Sequence, residues 1–149
     1  MSTTTGNVQP IWVAKGDVST NGTTGMNQPI TLAAADYTGA GANNVLCFTA
    51  NTDGARMERL KFTPTGTNVQ SVARIYVNNG AANTTATNNT LIGELSLPAT
   101  TASSVAALIS PEFVMPGGAM ALPGGFKIYV GLATAVAAGW VVTPICGQY

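Results

Sequence analysis

The sequence predicts an all-β protein: a single-domain antiparallel β-sandwich, jelly-roll-like, with an extended N-terminal arm. Three observations carry that expectation. Seventeen Gly and eight Pro among 149 residues mark many turns and few long helices. Several short runs alternate apolar and polar residues with period two, as half-buried strands do. Such runs number eight or nine, which suits two packed sheets and, at eight strands, a jelly roll. The chain is long enough for one sizeable core. Residues 1–14 read as the arm and a possible first strand, and residues 15–149 as the sandwich.

Residues 1–8 (MSTTTGNV) form the arm, and Pro10-Ile-Trp-Val-Ala is a short apolar run. Residues 15–28 are turn-rich around Asn21-Gly22. Ile30 and Leu32 flank Thr31 in a second short strand. Residues 36–44 (DYTGAGANN) are a loop, and Val45 to Ala50 is a compact buried-type strand. After the turn Asn51-Thr-Asp-Gly, Leu60 and Phe62 face the core while Arg59 and Lys61 face outward.

Val69, Ala73, Ile75 and Val77 share one face of the clearest half-buried strand, with Gln70, Arg74, Tyr76 and Asn78 opposite. Residues 79–90 are a polar, uncharged loop, read either as a binding loop or as a connector. In the next run, Leu91, Leu95 and Leu97 point inward and Glu94 outward. Residues 99–110 (ATTASSVAALIS) suit a helical turn or a strand, since Ala favours helix but Thr, Ser and Val do not. Glu112-Phe-Val-Met is extended, and Met115-Pro-Gly-Gly and Leu122-Pro-Gly-Gly are turns. The end of the chain carries no charge after Lys127. Gly131, Gly139 and Pro144 interrupt it as a membrane helix. The alternation of Phe126, Ile128, Val130 and Leu132 favours two strands folded back on each other.

Charged residues make up 8% of the chain and the net charge is zero. That pattern offers no footprint for nucleic acid or an anionic membrane. There is no His, which removes the usual general base and the commonest transition-metal ligand. Asp17, Asp36, Asp53, Glu58, Glu94 and Glu112 are scattered singly, so no catalytic pair, metal or cofactor is expected, and the chain reads as a non-enzyme. Cys47 and Cys146 read as small buried thiols, with a disulfide between them as the alternative. The start Met1-Ser-Thr-Thr-Thr lacks the basic and apolar regions of a secretion signal, so synthesis and retention in a cytoplasm are expected.

Arg56, Glu58, Arg59 and Lys61 are four of the twelve charged residues, packed into six positions. They suit a solvated edge strand or a contact with another subunit. The six Trp and Tyr residues suit a core, with a sugar-stacking platform as the alternative.

Three segments resemble small structural proteins of tailed bacteriophages. They are Ala73-Arg-Ile-Tyr-Val-Asn-Asn-Gly, Thr90-Leu-Ile-Gly-Glu-Leu-Ser-Leu-Pro-Ala-Thr-Thr-Ala, and Leu122-Pro-Gly-Gly-Phe-Lys-Ile-Tyr-Val-Gly-Leu with Gly139-Trp-Val-Val-Thr. The nearest type is the capsid decoration (cement or head-stabilising) protein built on a jelly roll, and the likeness runs from about residue 70 onward. It implies a homotrimer on the outer capsid surface of the virion, made in the host cytoplasm, that bridges major capsid protein subunits. It also implies an arm lying along the shell, for which Gln9, Ile11 and Trp12 are the expected capsid contacts. Trp12 reads equally well as a core residue of the first strand. Arg56, Glu58, Arg59, Lys61 and Tyr76 are the expected subunit contacts. A phage tail or fibre module, or a lectin-like sandwich that binds carbohydrate or a receptor, is the alternative.

Overall fold

The computed structural model describes residues 11–12, 29–34 and 36–149. Nine strands run in chain order: β1 Ile11–Trp12, β2 Val45–Thr49, β3 Ala55–Pro64, β4 Ser71–Asn78, β5 Asn89–Leu97, β6 Glu112–Val114, β7 Met120–Leu122, β8 Lys127–Leu132 and β9 Trp140–Gln148. Every pairing between these strands is antiparallel. One sheet has the order β1-β9-β3-β6, and β7 pairs with β3 beyond β6. The other has the order β2-β8-β4-β5. Because β6 and β7 lie end to end along β3, they fill one strand position. The two sheets then have the strand order of an eight-stranded jelly roll. No helix among the described residues is long and apolar enough to cross a membrane.

The core follows the period-two patterns. Leu60 and Phe62 of β3, Ile75 of β4, and Ile128, Val130 and Leu132 of β8 are fully buried. Trp140 and Val142 of β9 join them from the first sheet. Each such side chain contributes about 1.5–3 kcal/mol by leaving water. Gly93 of β5 is required by packing: a Cβ there would strike the ring of Phe113. Both cysteines are buried as thiols, with no disulfide between them.

Several expectations are corrected. The last two strands do not pair with each other. β8 bonds to β2 and β4, while β9 bonds to β1 and β3 in the opposite sheet. Residues 133–139 therefore arch across the sandwich instead of closing a tight hairpin, and each strand is paired on both edges within its own sheet. Ile30 makes only a single bridge, to Trp140, and Leu32 is exposed. Val69 precedes β4 and is also exposed. The register between β4 and β5 shifts at Ile75/Tyr76, so that Leu91 lies opposite Tyr76. That bulge turns Leu91 from the core face to the outer face. Residues 99–110 form neither helix nor strand beyond a bridge from Thr100 to Asn68. The short strand β7 was not foreseen.

Candidate functional site

The two outer faces of the sandwich differ in kind. On the β2-β8-β4-β5 sheet, cross-strand register lines up Leu46, Tyr129, Tyr76 and Leu91 in one row. Gly131, Arg74 and Glu94 form the next. A strap of residues 33–34 and 36–44 covers both rows. Its entry is held where the Ala34 amide donates to the Leu132 carbonyl at 2.7 Å. Its turn is shaped by Asp36, whose Oδ1 accepts from the amides of Thr38 and Gly39.

Two strand residues latch this strap. The Tyr76 hydroxyl donates to the Asp36 carbonyl at 3.0 Å. Arg74 Nη1 donates to the carbonyls of Ala34 at 3.3 Å and Asp36 at 3.4 Å. Arg74 Nε donates to Glu94 Oε1 at 3.0 Å, and the guanidinium stacks 3.7 Å from the centroid of the Tyr37 ring. Burial pulls the Arg74 pKa down, but the bonds to Glu94 and Tyr37 outweigh it and hold it above the ordinary value. Burial also raises the phenol pKa of Tyr76 and of Tyr129. Asn44 sits so close over Gly131 that a Cβ on Gly131 would collide with it. The strap thus buries Arg74, Tyr76 and Tyr129 at the centre of this face, while Glu94 at its margin stays partly exposed.

The outer face of the β1-β9-β3-β6 sheet stays open. Arg56, Arg59, Lys61 and Thr63 run along β3, opposite Gly147, Ile145, Thr143 and Val141 of β9. Glu112 and Val114 of β6 lie opposite Lys61 and Arg59. Val114 is 58% exposed, and the side chains of Arg56 and Arg59 are 52% and 42% exposed. Arg59 Nε lies 3.3 Å from Glu112 Oε2. That nitrogen is buried without an aligned hydrogen bond, so the contact is an electrostatic one only. Arg56 and Glu58 are 3.8 Å apart. Pairs this exposed contribute about 0–1 kcal/mol each. No carboxylate among the described residues comes within ion-pair distance of Lys61. The face therefore offers three cations, two acids and a fringe of Val and Ile.

The expected contact residues divide between the two faces. Arg56, Glu58, Arg59 and Lys61 belong to β3 of the open sheet. Ile11 and Trp12 form β1 at the edge of that sheet, and Trp12 and Arg56 pair with Gly147 from its two sides. The two candidate sets, distant in sequence, therefore meet on one sheet through β9. Gln9 lies outside the described residues. Tyr76 is corrected: it sits on the other sheet, wholly buried under the strap, and presents no surface. The sequence reading missed Glu112, Val114 and Ile145. The alternation of Val141, Thr143 and Ile145 against Trp140, Val142 and Cys146 was the available signal for β9.

Three of the six aromatic residues considered for a sugar platform are interior. Trp140, Tyr76 and Tyr129 are buried, while Tyr37 is 60% exposed. Burial pushes the Cys47 thiol up to about 12, far from the range of a nucleophilic thiolate. No group of three His, Cys, Asp or Glu gathers among the described residues. In comparisons with protein-family models, curated proteins and solved structures, nothing matches this chain.

Proposed function

We propose that this protein is a structural virion component, which binds the outside of a phage capsid as an oligomer and bridges major capsid protein subunits. The observation that carries the reading is its one-sidedness. One sheet has its centre covered by its own strap, and the other leaves an open face of mixed charge and apolar fringe with β1 at its edge. A docking protein needs one surface to meet the shell and one to meet solvent. Weak exposed pairs such as Arg59–Glu112 suit this use, because many modest contacts repeated over a shell add through multivalency. The strand-and-turn segments that resemble decoration proteins point the same way.

Purified protein mixed with undecorated phage heads should co-sediment with them. An Arg59→Glu/Lys61→Glu variant should lose that binding and keep its fold, since both positions lie outside the core. Absence of co-sedimentation by the unaltered protein would overturn the proposal.

A second reading is favoured by Tyr37, whose exposed ring is held in place by Arg74 beside the Glu94 carboxylate. That arrangement suits sugar stacking with a hydrogen-bond acceptor at the rim. Glycan-array binding lost on Tyr37→Ala would support a lectin-like module, and a flat array would remove it.

A further inference from the structure

We infer that one end of the sandwich is a self-association surface, on which a second copy of this chain docks. The strand register brings four segments to that end. They are residues 29–34, 65–70, 98–111 and 133–139, which flank the Pro64–Trp140, Ser71–Leu97 and Ala73–Leu132 pairs. Asn68 stitches three of them. Its Oδ1 accepts from the amides of Ala138 and Gly139, and its backbone exchanges hydrogen bonds with Thr100. The fourth joins through the Val136 amide, which donates to the Thr31 carbonyl.

None of these segments contains Asp, Glu, Lys or Arg. They do carry four of the seven large exposed apolar side chains among the described residues: Val105 at 94%, Ile109 at 71%, Leu32 at 60% and Val69 at 56%. Asn and Thr make up six of the ten residues of the longest connection at the opposite end, residues 79–88. Among the described residues, no hydrogen bond holds Ala107, Leu108 or Ile109. Among the described residues, nothing packs over this apolar loop, and such patches mark interaction sites.

The charge pattern identifies the occupant. A charged partner surface would lose hydration against this end and gain no counter-charge. The matching surface must itself be uncharged and apolar, and this end is such a surface. In a symmetric assembly the same residues recur around the axis, so a charge there would face its own copy. Charge depletion with an apolar centre is the composition of homo-oligomer interfaces. The surface is separate from the open sheet face, so both can be occupied together. The inference deepens the self-association part of the proposed function and is tested without a capsid.

Sedimentation velocity of the whole protein should show a closed oligomer. Val105→Asp/Ile109→Asp should raise its dissociation constant by at least about 100-fold, with cooperative thermal unfolding retained because both positions are exposed. Val105→Ser/Ile109→Ser, which adds no charge, should weaken association in the same direction. A monomeric unaltered protein, or an assembly unchanged by both variants, would overturn the inference. So would dissociation by Arg59→Glu/Lys61→Glu alone. A monomer that still co-sediments with heads would refute this contact and leave the capsid reading standing. An oligomer that ignores heads would do the reverse.

Discussion

Replacing Arg74 with methionine should unlatch the strap and leave the strands beneath it folded. The long apolar stem of Arg74 is largely reproduced by methionine, so packing against Gly131 and Tyr76 changes little. What disappears is the guanidinium. Hydrogen bonds to charged groups contribute about 1.5–3 kcal/mol at good geometry. At 3.3 and 3.4 Å, the bonds to the Ala34 and Asp36 carbonyls belong below that range, near about 1 kcal/mol each. The Tyr37 stack adds about 1 kcal/mol. The Glu94 pair adds less than about 1 kcal/mol, because Glu94 is 43% exposed and screened by water. The expected loss is about 3 kcal/mol in all, a large share of ordinary domain stability.

Arg59→Met is the control. It breaks an ion pair of similar length on the open face, and should cost no more than about 0.5 kcal/mol. Urea unfolding measures both variants, and hydrogen exchange at the Ala34 and Gly39 amides reports the strap directly. If Arg74→Met lies within about 1 kcal/mol of the unaltered protein, or those amides keep their protection, the latch described here does not hold the strap.

Two further predictions concern the core. Val130 is fully buried between Val45 and Ile75. Val130→Asp should cost more than about 4 kcal/mol and leave the protein unfolded or insoluble. A soluble, assembled variant would show that β8 does not face the core. Cys47 supplies a pH dependence. Burial raises its pKa from 9.0 to about 12, so the native state holds a proton that the unfolded chain releases. The stability this lends is complete below pH 9 and declines as pH rises toward about 12, by at most about 4 kcal/mol. Cys47→Ala should flatten that alkaline decline in unfolding experiments. Parallel curves for the two proteins would refute the assignment.

The sequence by itself determined most of the strands, and within them most of the side chains that turn inward. The alternation from Phe126 to Leu132 and from Arg59 to Phe62 is local, because successive side chains on a strand point to opposite faces. Leu60, Phe62, Ile75, Ile128 and Val130 were legible for that reason. The cluster of Arg56, Glu58, Arg59 and Lys61 was legible as a charged strand, but not its neighbourhood. Trp12 joins it only because β9 passes between them.

Strand partners and the fate of outward faces were settled by tertiary structure. Arg74 and Tyr76 point away from the core by parity, yet both are buried, because a strap about 40 residues earlier in the chain folds over them. Leu91 changes face at a bulge that no alternation pattern announces. β8 and β9, adjacent in sequence, part into opposite sheets, where β9 lies between β1 and β3 and β8 between β2 and β4. Period two is a property of one strand, and a pairing depends on every other strand competing for the same edge. That competition made the uncharged final stretch, Ile128 to Tyr149, a strand of each sheet joined by an arch across one end of the sandwich.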